Sequence, residues 1–241
     1  MKKRQVKRNL VLGILFLLPV VFLLFLYPSK HNYNPLDIVN PKVSELNGFS
    51  SDSNEPVELK DHITVLGFLG TDPLGHILVA SNVKALVYDK FKGFKHFQIV
   101  FVAPQGTQEA VQKLEKEINR YEEVKYWHYV FGQPEDIQNL YKTLKSNSDL
   151  NSDLSMEDVF IIDKDLSQRG RLDDRNKKEI KTNGPEYPLY AYNCIDIGVI
   201  RNKMSDDMRV LFTEYRQKRK GNFDSEQRRV NDIGTNDEQK N

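Results

Sequence analysis

Short apolar runs alternate with helical stripes from Val57 to about Lys220, which predicts one α/β domain. The run Ile63–Phe68, read as ITVLGF, predicts a buried strand. Two glycines and a proline in Gly70-Thr71-Asp72-Pro73-Leu74-Gly75 turn it into a loop. Val79, Val83, Leu86 and Val87 then recur at helical spacing up to Tyr88. Phe97–Val102 predicts a second strand. Thr107 is placed to cap a helix whose stripe is Val111, Leu114, Ile118 and Tyr121. A third strand is expected around 125–131, ending at Gly132. Pro134-Glu135-Asp136 opens a helix with stripe Ile137, Leu140, Tyr141 and Leu144. After the polar stretch 146–155, Val159–Asp163 predicts a fourth strand, with a turn at Asp165 and a hairpin-like return through Arg169-Gly170-Arg171. Leu189–Tyr192 is a weaker strand pattern. Ser205 is placed to cap a last helix that buries Met208, Leu211, Phe212 and Tyr215 and ends at Gly221. This alternation predicts a mostly parallel sheet covered on both faces.

Ahead of the domain, Leu10–Tyr27 is almost unbroken apolar sequence, broken only by Gly13 and Pro19. At about 18 residues it is near the lower limit for a bilayer-spanning helix. Lys2, Lys3, Arg4, Lys7 and Arg8 precede it with no acid among them, so positive-inside charge puts residues 1–9 in the cytoplasm and the rest outside. The run ends in Phe25-Leu26-Tyr27-Pro28 without a small-residue cleavage site, which favours an uncleaved anchor over a signal peptide. Residues 28–56, rich in Pro, Asn and Ser, read as a tether in which Leu36–Val39 is a candidate edge strand. The domain is expected over 57–220 and a polar, disordered tail over 221–241.

Charge adds one point. Lys and Arg total 35 against 34 Asp and Glu; without the five basic residues ahead of the apolar run, 30 face 34 and the remainder is −4. That balance gives no nucleic-acid footprint, so nucleic acid is not an expected partner; the lipid bilayer, through residues 10–27, is. Cys194 is the single cysteine, which excludes an intrachain disulfide, a dithiol redox cycle and a thiolate-rich metal site within one chain.

The loop after the first strand holds the candidate chemistry, because α/β folds place their sites where such loops leave the sheet. It carries Asp72 and His76 and no thiol. Carboxylate and imidazole suit zinc or cupric copper, but a stable site wants three or four ligands and the sequence offers no third. The bland reading has Asp72 capping the next helix and His76 solvated in its first turn. Trp127 is expected in the core and His128 on the other face of the same strand. His31, His62 and His96 each stand alone in sequence and decide little. Cys194 reads as a small, partly buried residue. Asp163, Asp165, Asp173 and Asp174 lack calcium-loop spacing and read as turn residues. The basic run Arg216–Lys220 complements a helix end, with an acidic partner or anionic lipid as the alternative.

Residues 57–220 resemble the Sco/SenC family. The likeness lies in ITVLGFLGTDPLGH, in Trp127–Gly132 followed by Gln133–Ile137, and in Val159–Asp165. The resemblance implies a thioredoxin-like fold on a single N-terminal span, in the bacterial inner membrane with the domain on the periplasmic side. It implies a role in cytochrome c oxidase assembly, with copper as the family's metal and respiratory-assembly proteins as partners. The family's Cys-Pro-x-x-Cys loop, aligned on Pro73, puts Asp72 and His76 where the cysteines belong. Its histidine ligand falls near Ser155. All three ligands are replaced, so the expectation is a non-redox, non-enzymatic binding or assembly module with a degenerate metal site and no cofactor. The alternative is a variant metallochaperone holding copper or zinc through Asp72 and His76.

Overall fold

The computed structural model describes residues 2–26, 35–51 and 56–219, and the chain divides into two compact units, Met1–Asn34 and Pro35–Asn241. The first unit is the helix α1 (Lys2–Leu26), which carries Pro19 within it. Its described side chains from Val11 to Leu24 are exposed. Among the described residues no helix is long and apolar enough to cross a membrane. The side chains of Leu10, Phe25 and Leu26, and the whole of Tyr27, belong to the expected span and lie outside that description. The expected tail, 221–241, also lies outside the described residues.

The second unit is built on a mixed sheet. Short strands β1 (Asp37–Asn40) and β2 (Ser50–Ser51) precede the central strand β3 (Ile63–Phe68). A helical run follows: α2 (Ile77–Val83), a π-helical segment Lys84–Tyr88, and a last turn α3 (Asp89–Phe91). Then come β4 (Phe97–Pro104), α4 (Gln108–Ile118), β5 (Trp127–Gly132) and α5 (Pro134–Lys142). The chain returns through β6 (Asp158–Ile162), β7 (Gln168–Gly170), the short α6 (Lys177–Lys181) and β8 (Tyr192–Asn193). A second π-helical segment, Val199–Met204, runs straight into α7 (Ser205–Arg219).

The sheet order is β1-β7-β6-β3-β4-β5-β2, with β8 beside β6. Only β3·β4 and β4·β5 are parallel; every other pairing is antiparallel, so the expected mostly parallel sheet is corrected to a mixed one. Apolar runs buried on both faces look alike in either direction, and strand direction is set by the connections instead. A βαβ unit (β3, α2–α3, β4) and a ββα unit (β6, β7, α7) share the order β4-β3-β6-β7, which is the thioredoxin-like arrangement.

Alternate residues feed two cores. Ile63, Val65, Ile99, Phe101 and Trp127 face α2, α4 and α7 through Val79, Val83, Leu114, Met208 and Leu211. Leu66, Phe68, Val100, Val102 and Phe160 face α5 through Ile137 and Leu140. That second core also takes Val43, Leu46 and Leu59, from the stretch expected to be a tether or to precede the first strand. The folded unit therefore begins at Pro35, not Val57. Two further expectations change. Tyr121 is 91% exposed because α4 stops at Ile118 and Asn119 turns back to accept the Val124 N–H. Ser205 caps no free helix end: helix precedes it, and its hydroxyl meets the Leu86 carbonyl and the Lys90 ammonium.

A buried ion cluster joins both ends of the unit. The Arg169 side chain, 2% exposed, donates from Nε to Asp163 (2.6 Å) and from Nη1 to the Leu36 carbonyl (2.6 Å). Its Nη2 donates to Glu214 of α7 at 3.0 Å. Asp163 also accepts the Asp165 and Ser167 N–H groups at 3.0 and 2.9 Å, so it is the centre of the turn as well as an ion-pair partner. Each carboxylate oxygen of Asp163 and Glu214 has at least one donor, the condition under which buried charge is tolerated.

Candidate functional site

The loop Leu69–His76 leaves the carboxyl end of β3 and leans on the segment 151–156. Leu69 bridges Ser155, the Met156 N–H donates to the Phe68 carbonyl (3.2 Å), and the Thr71 N–H donates to Asp153 (3.0 Å). Gly70 makes this approach possible. Its φ is +64°, and a Cβ there would lie 2.6 Å from the Ser155 Cβ and 2.7 Å from the Asp153 carbonyl. The facing segment is tied to itself. Asn151 Nδ2 donates to the Ser155 hydroxyl (3.1 Å), which donates to Asp153 Oδ1 (2.6 Å). That hydroxyl bond is the main cause holding the Asp153 carboxyl below the ordinary aspartate value; the nearby His76 adds to it.

Within the loop, Asp72 is exposed and its Oδ1 accepts the Gly75 N–H at 3.2 Å. The His76 Nδ1 lies 3.2 Å from the Asp72 carbonyl, which only accepts, so Nδ1 carries the proton and Nε2 is the free lone pair of the neutral ring. Asp72 thus stabilises the loop, and half-buried His76 itself occupies the N-cap of α2 without a side-chain cap bond, which corrects the expected Asp72 cap. The structure brings all three positions aligned with the family's ligands to one place, Asp72 and His76 in the loop and Ser155 against Gly70. Their donors do not fit cuprous copper: there is no thiolate, one carboxylate oxygen is engaged by the loop, and the serine hydroxyl is bound to Asp153. Among the described residues no three of His, Cys, Asp and Glu are grouped to hold a metal.

Beside His76 lies an open groove of about 260 Å³, lined among others by Asp149, Asn151, Glu157, Asp158 and Asn193. Leu74, Ile77 and Leu78 are exposed on the adjoining loop and first turn of α2. The site is a polar, acidic hollow beside an apolar shoulder, a surface suited to binding.

The remaining candidates disperse. Trp127 is buried as expected, its ring edge-on to Tyr88 at 5.8 Å. His128 sits half-buried on the other face, where burial lowers its pKa. His62 and His96 come together at the opposite end of the sheet; His31 lies outside the described residues. Cys194 is fully rather than partly buried, its Sγ is 3.6 Å from the Tyr192 carbonyl, and burial pushes its pKa far up. Asp173 and Asp174 pair with Arg175 and Arg171. In the basic run, Lys218 bonds Glu214 (2.8 Å), Arg216 stacks over Phe94, and Arg219 is exposed; Lys220 lies outside the described residues. Asp153 carried no signal in sequence and Arg169 only that of a hairpin residue, because each acts through partners distant along the chain or through a local turn with no apolar period.

No family model matches the chain, and no curated protein matches it. Solved structures do resemble it. Apo Sco1 of Thermus thermophilus is 15% identical over 76% of this chain and 97% of its own, with a TM-score of 0.41. Copper-bound ScoI of Arabidopsis thaliana is 12% identical over 69% and 98%, at 0.42. The thioredoxin domain of a thiol-disulfide oxidoreductase from Bacteroides vulgatus is 14% identical over 61% and 96%, at 0.38. The likeness is one of fold, and the strand order given above is what establishes it.

Proposed function

We propose that this chain is a membrane-tethered, non-redox thioredoxin-like binding module that serves the biogenesis of a respiratory complex of the cytochrome c oxidase type. The observation that carries the reading is the state of the loop after β3. It is held rigidly by Gly70, Asp72, Asp153 and Ser155, yet it presents no thiol, and the single cysteine is buried elsewhere. A rigid loop without a nucleophile is suited to recognition, since loops displayed on a stable scaffold commonly carry binding. The basic N-terminal flank and the apolar run to Tyr27 support an inner-membrane anchor with the domain on the periplasmic side.

Crosslinking and affinity purification of the full-length protein from its native membrane tests this reading. Respiratory-assembly proteins are expected, and their yield should fall when Asp72–His76 is replaced or when Arg219→Glu and Lys220→Glu are combined. No partner at native expression, with unchanged oxidase assembly in a deletion strain, refutes it. Protease added to intact spheroplasts should digest residues 57–219; full protection refutes the placement. The rival reading, a metallochaperone using Asp72 and His76, requires metal binding that disappears in Asp72→Ala/His76→Ala.

A further inference from the structure

Between β7 and β8 the chain leaves the sheet in an excursion, residues 171–189, that contains α6. Arg171 and Leu189 close its base, each N–H donating to the other's carbonyl at 2.9 Å. Inside it, Arg175 donates to Asp173 (2.7 Å), to Glu186 (3.0 Å) and to the Gly184 carbonyl (2.8 Å). Asn176 and Glu179 form a capping box on α6, and the Tyr187 hydroxyl donates to Glu179 at 3.0 Å. The excursion is therefore a built structure, yet it leaves apolar surface in water. Leu172, Ile180 and Tyr187 are 55, 49 and 41% exposed. Lys177, Lys178 and Lys181 are exposed too and, among the described residues, pair with no carboxylate. The acids of the excursion are all engaged: Asp173 and Glu186 by Arg175, Asp174 by Arg171 and Lys203, and Glu179 by the Asn176 N–H and Tyr187. Unpaired lysines beside exposed leucine, isoleucine and tyrosine are the make-up of a segment that lies in a bilayer interface.

Its place in the fold suits that role. The Leu172 N–H donates to the Asp37 carboxylate at 3.1 Å, so the excursion stands beside the start of β1, where the chain enters the domain. Between Tyr27, the end of the apolar run, and Pro35 lie residues 28–34, which span at most about 25 Å even when fully extended. We propose that the excursion 171–189 docks on the bilayer that anchors the chain, with Leu172 and Ile180 entering the interface, Tyr187 at headgroup level and the three lysines against anionic headgroups. This inference rests on the membrane anchor in the reading above. Docking gives the domain one orientation on the membrane, and with it one direction in which the loop after β3 meets a partner.

The test uses the full-length protein reconstituted into mixed phosphatidylcholine–phosphatidylglycerol vesicles, with flotation to read anchoring and bromine-labelled acyl chains to read docking. Such chains quench tryptophan only at short range, and the emission of buried Trp127 in the parent is subtracted. Ile180→Trp should co-float with the vesicles and lose most of its added emission to the brominated lipid. Tyr121→Trp, at a 91% exposed position after α4, should keep its own. Lys177→Gln/Lys178→Gln/Lys181→Gln should weaken docking about a hundredfold, from the contribution of each lysine near an anionic surface, and should restore the Ile180→Trp emission without affecting flotation. Vesicles of phosphatidylcholine alone should do the same. All of these residues are exposed, so the variants keep the fold. Protein that floats while Ile180→Trp is quenched no more than Tyr121→Trp overturns the docking and leaves the anchor standing. Quenching indifferent to the lysines and to phosphatidylglycerol also overturns it, as does capture of an acidic protein by the lysines with the tryptophan unquenched. Protein that does not float overturns the anchor and the docking together.

Discussion

Replacing Arg169 by Met strands two buried carboxylates. Asp163 and Glu214 have side chains 1% and 0% exposed, and both lose an arginine partner 2.6–3.0 Å away. Removing one member of a buried ion pair costs about 3–5 kcal/mol. Asp163 keeps its two backbone donors and Glu214 keeps Lys218, so the loss should lie at the low end, about 3 kcal/mol. The chain's one tryptophan, Trp127, is buried and reports urea unfolding of the full-length protein by fluorescence. The midpoint should fall with little change in slope. Neutralising the partners as well, in Arg169→Met/Asp163→Asn/Glu214→Gln, should recover more than half of the loss. A triple variant as unstable as the single refutes the account and assigns the cost to lost arginine packing.

Gly70→Ala should cost about 1–3 kcal/mol, from strain at positive φ and the contact with Ser155, and should speed amide exchange at Thr71, whose N–H bonds Asp153. Cys194, with its pKa pushed up by burial, should resist thiol reagents at pH 8 in the folded protein and react fully in denaturant; rapid native labelling, or turnover of a disulfide substrate that survives Cys194→Ser, refutes the non-redox reading. The Asp153 pKa is held down in the fold, so its contribution to stability is present above the ordinary aspartate pKa and is lost as pH falls through the depressed value. Ser155→Ala should raise that pKa toward the ordinary 3.8, read by carboxyl NMR titration.

The elements that sequence reveals are those with a strong apolar period: β3, β4, β5 and β6, and the stripes of α4, α5 and α7. Where the pattern is polar it misleads. Ser50–Ser51 is a strand only because Val130 and Phe131 offer it an edge, and Asp37–Asn40 is one only because the β7 edge, Gln168–Gly170, pairs with it. Pro, Ser and Asn in 28–56 describe a surface segment equally well whether it pairs or not. Arg169 reads as a hairpin charge, and its burial depends on Glu214, 45 residues on. At the loop, sequence supplied Asp72, His76 and the position of Ser155, and the structure gathers them. Which atom bonds which, and Asp153's part, follow from the fold of 151–156, where no period or motif reports it. His62 and His96 looked solitary because their proximity is a property of strand register.

The position of β1 at the far edge of the sheet has a consequence for how the protein is made. Leu36 meets Arg169 across 133 residues of chain, and β1 pairs with the same hairpin. At roughly 5–20 residues per second, the first strand to be synthesised waits on the order of ten seconds for the strand that receives it. During that interval Asp37–Asn40 is an unpaired edge. Its residues Asp37 and Asn40, with Lys42 just beyond, are the polar kind that discourages pairing with another copy. The ends of this domain are therefore joined last, and the Arg169 cluster closes only once α7 has been delivered.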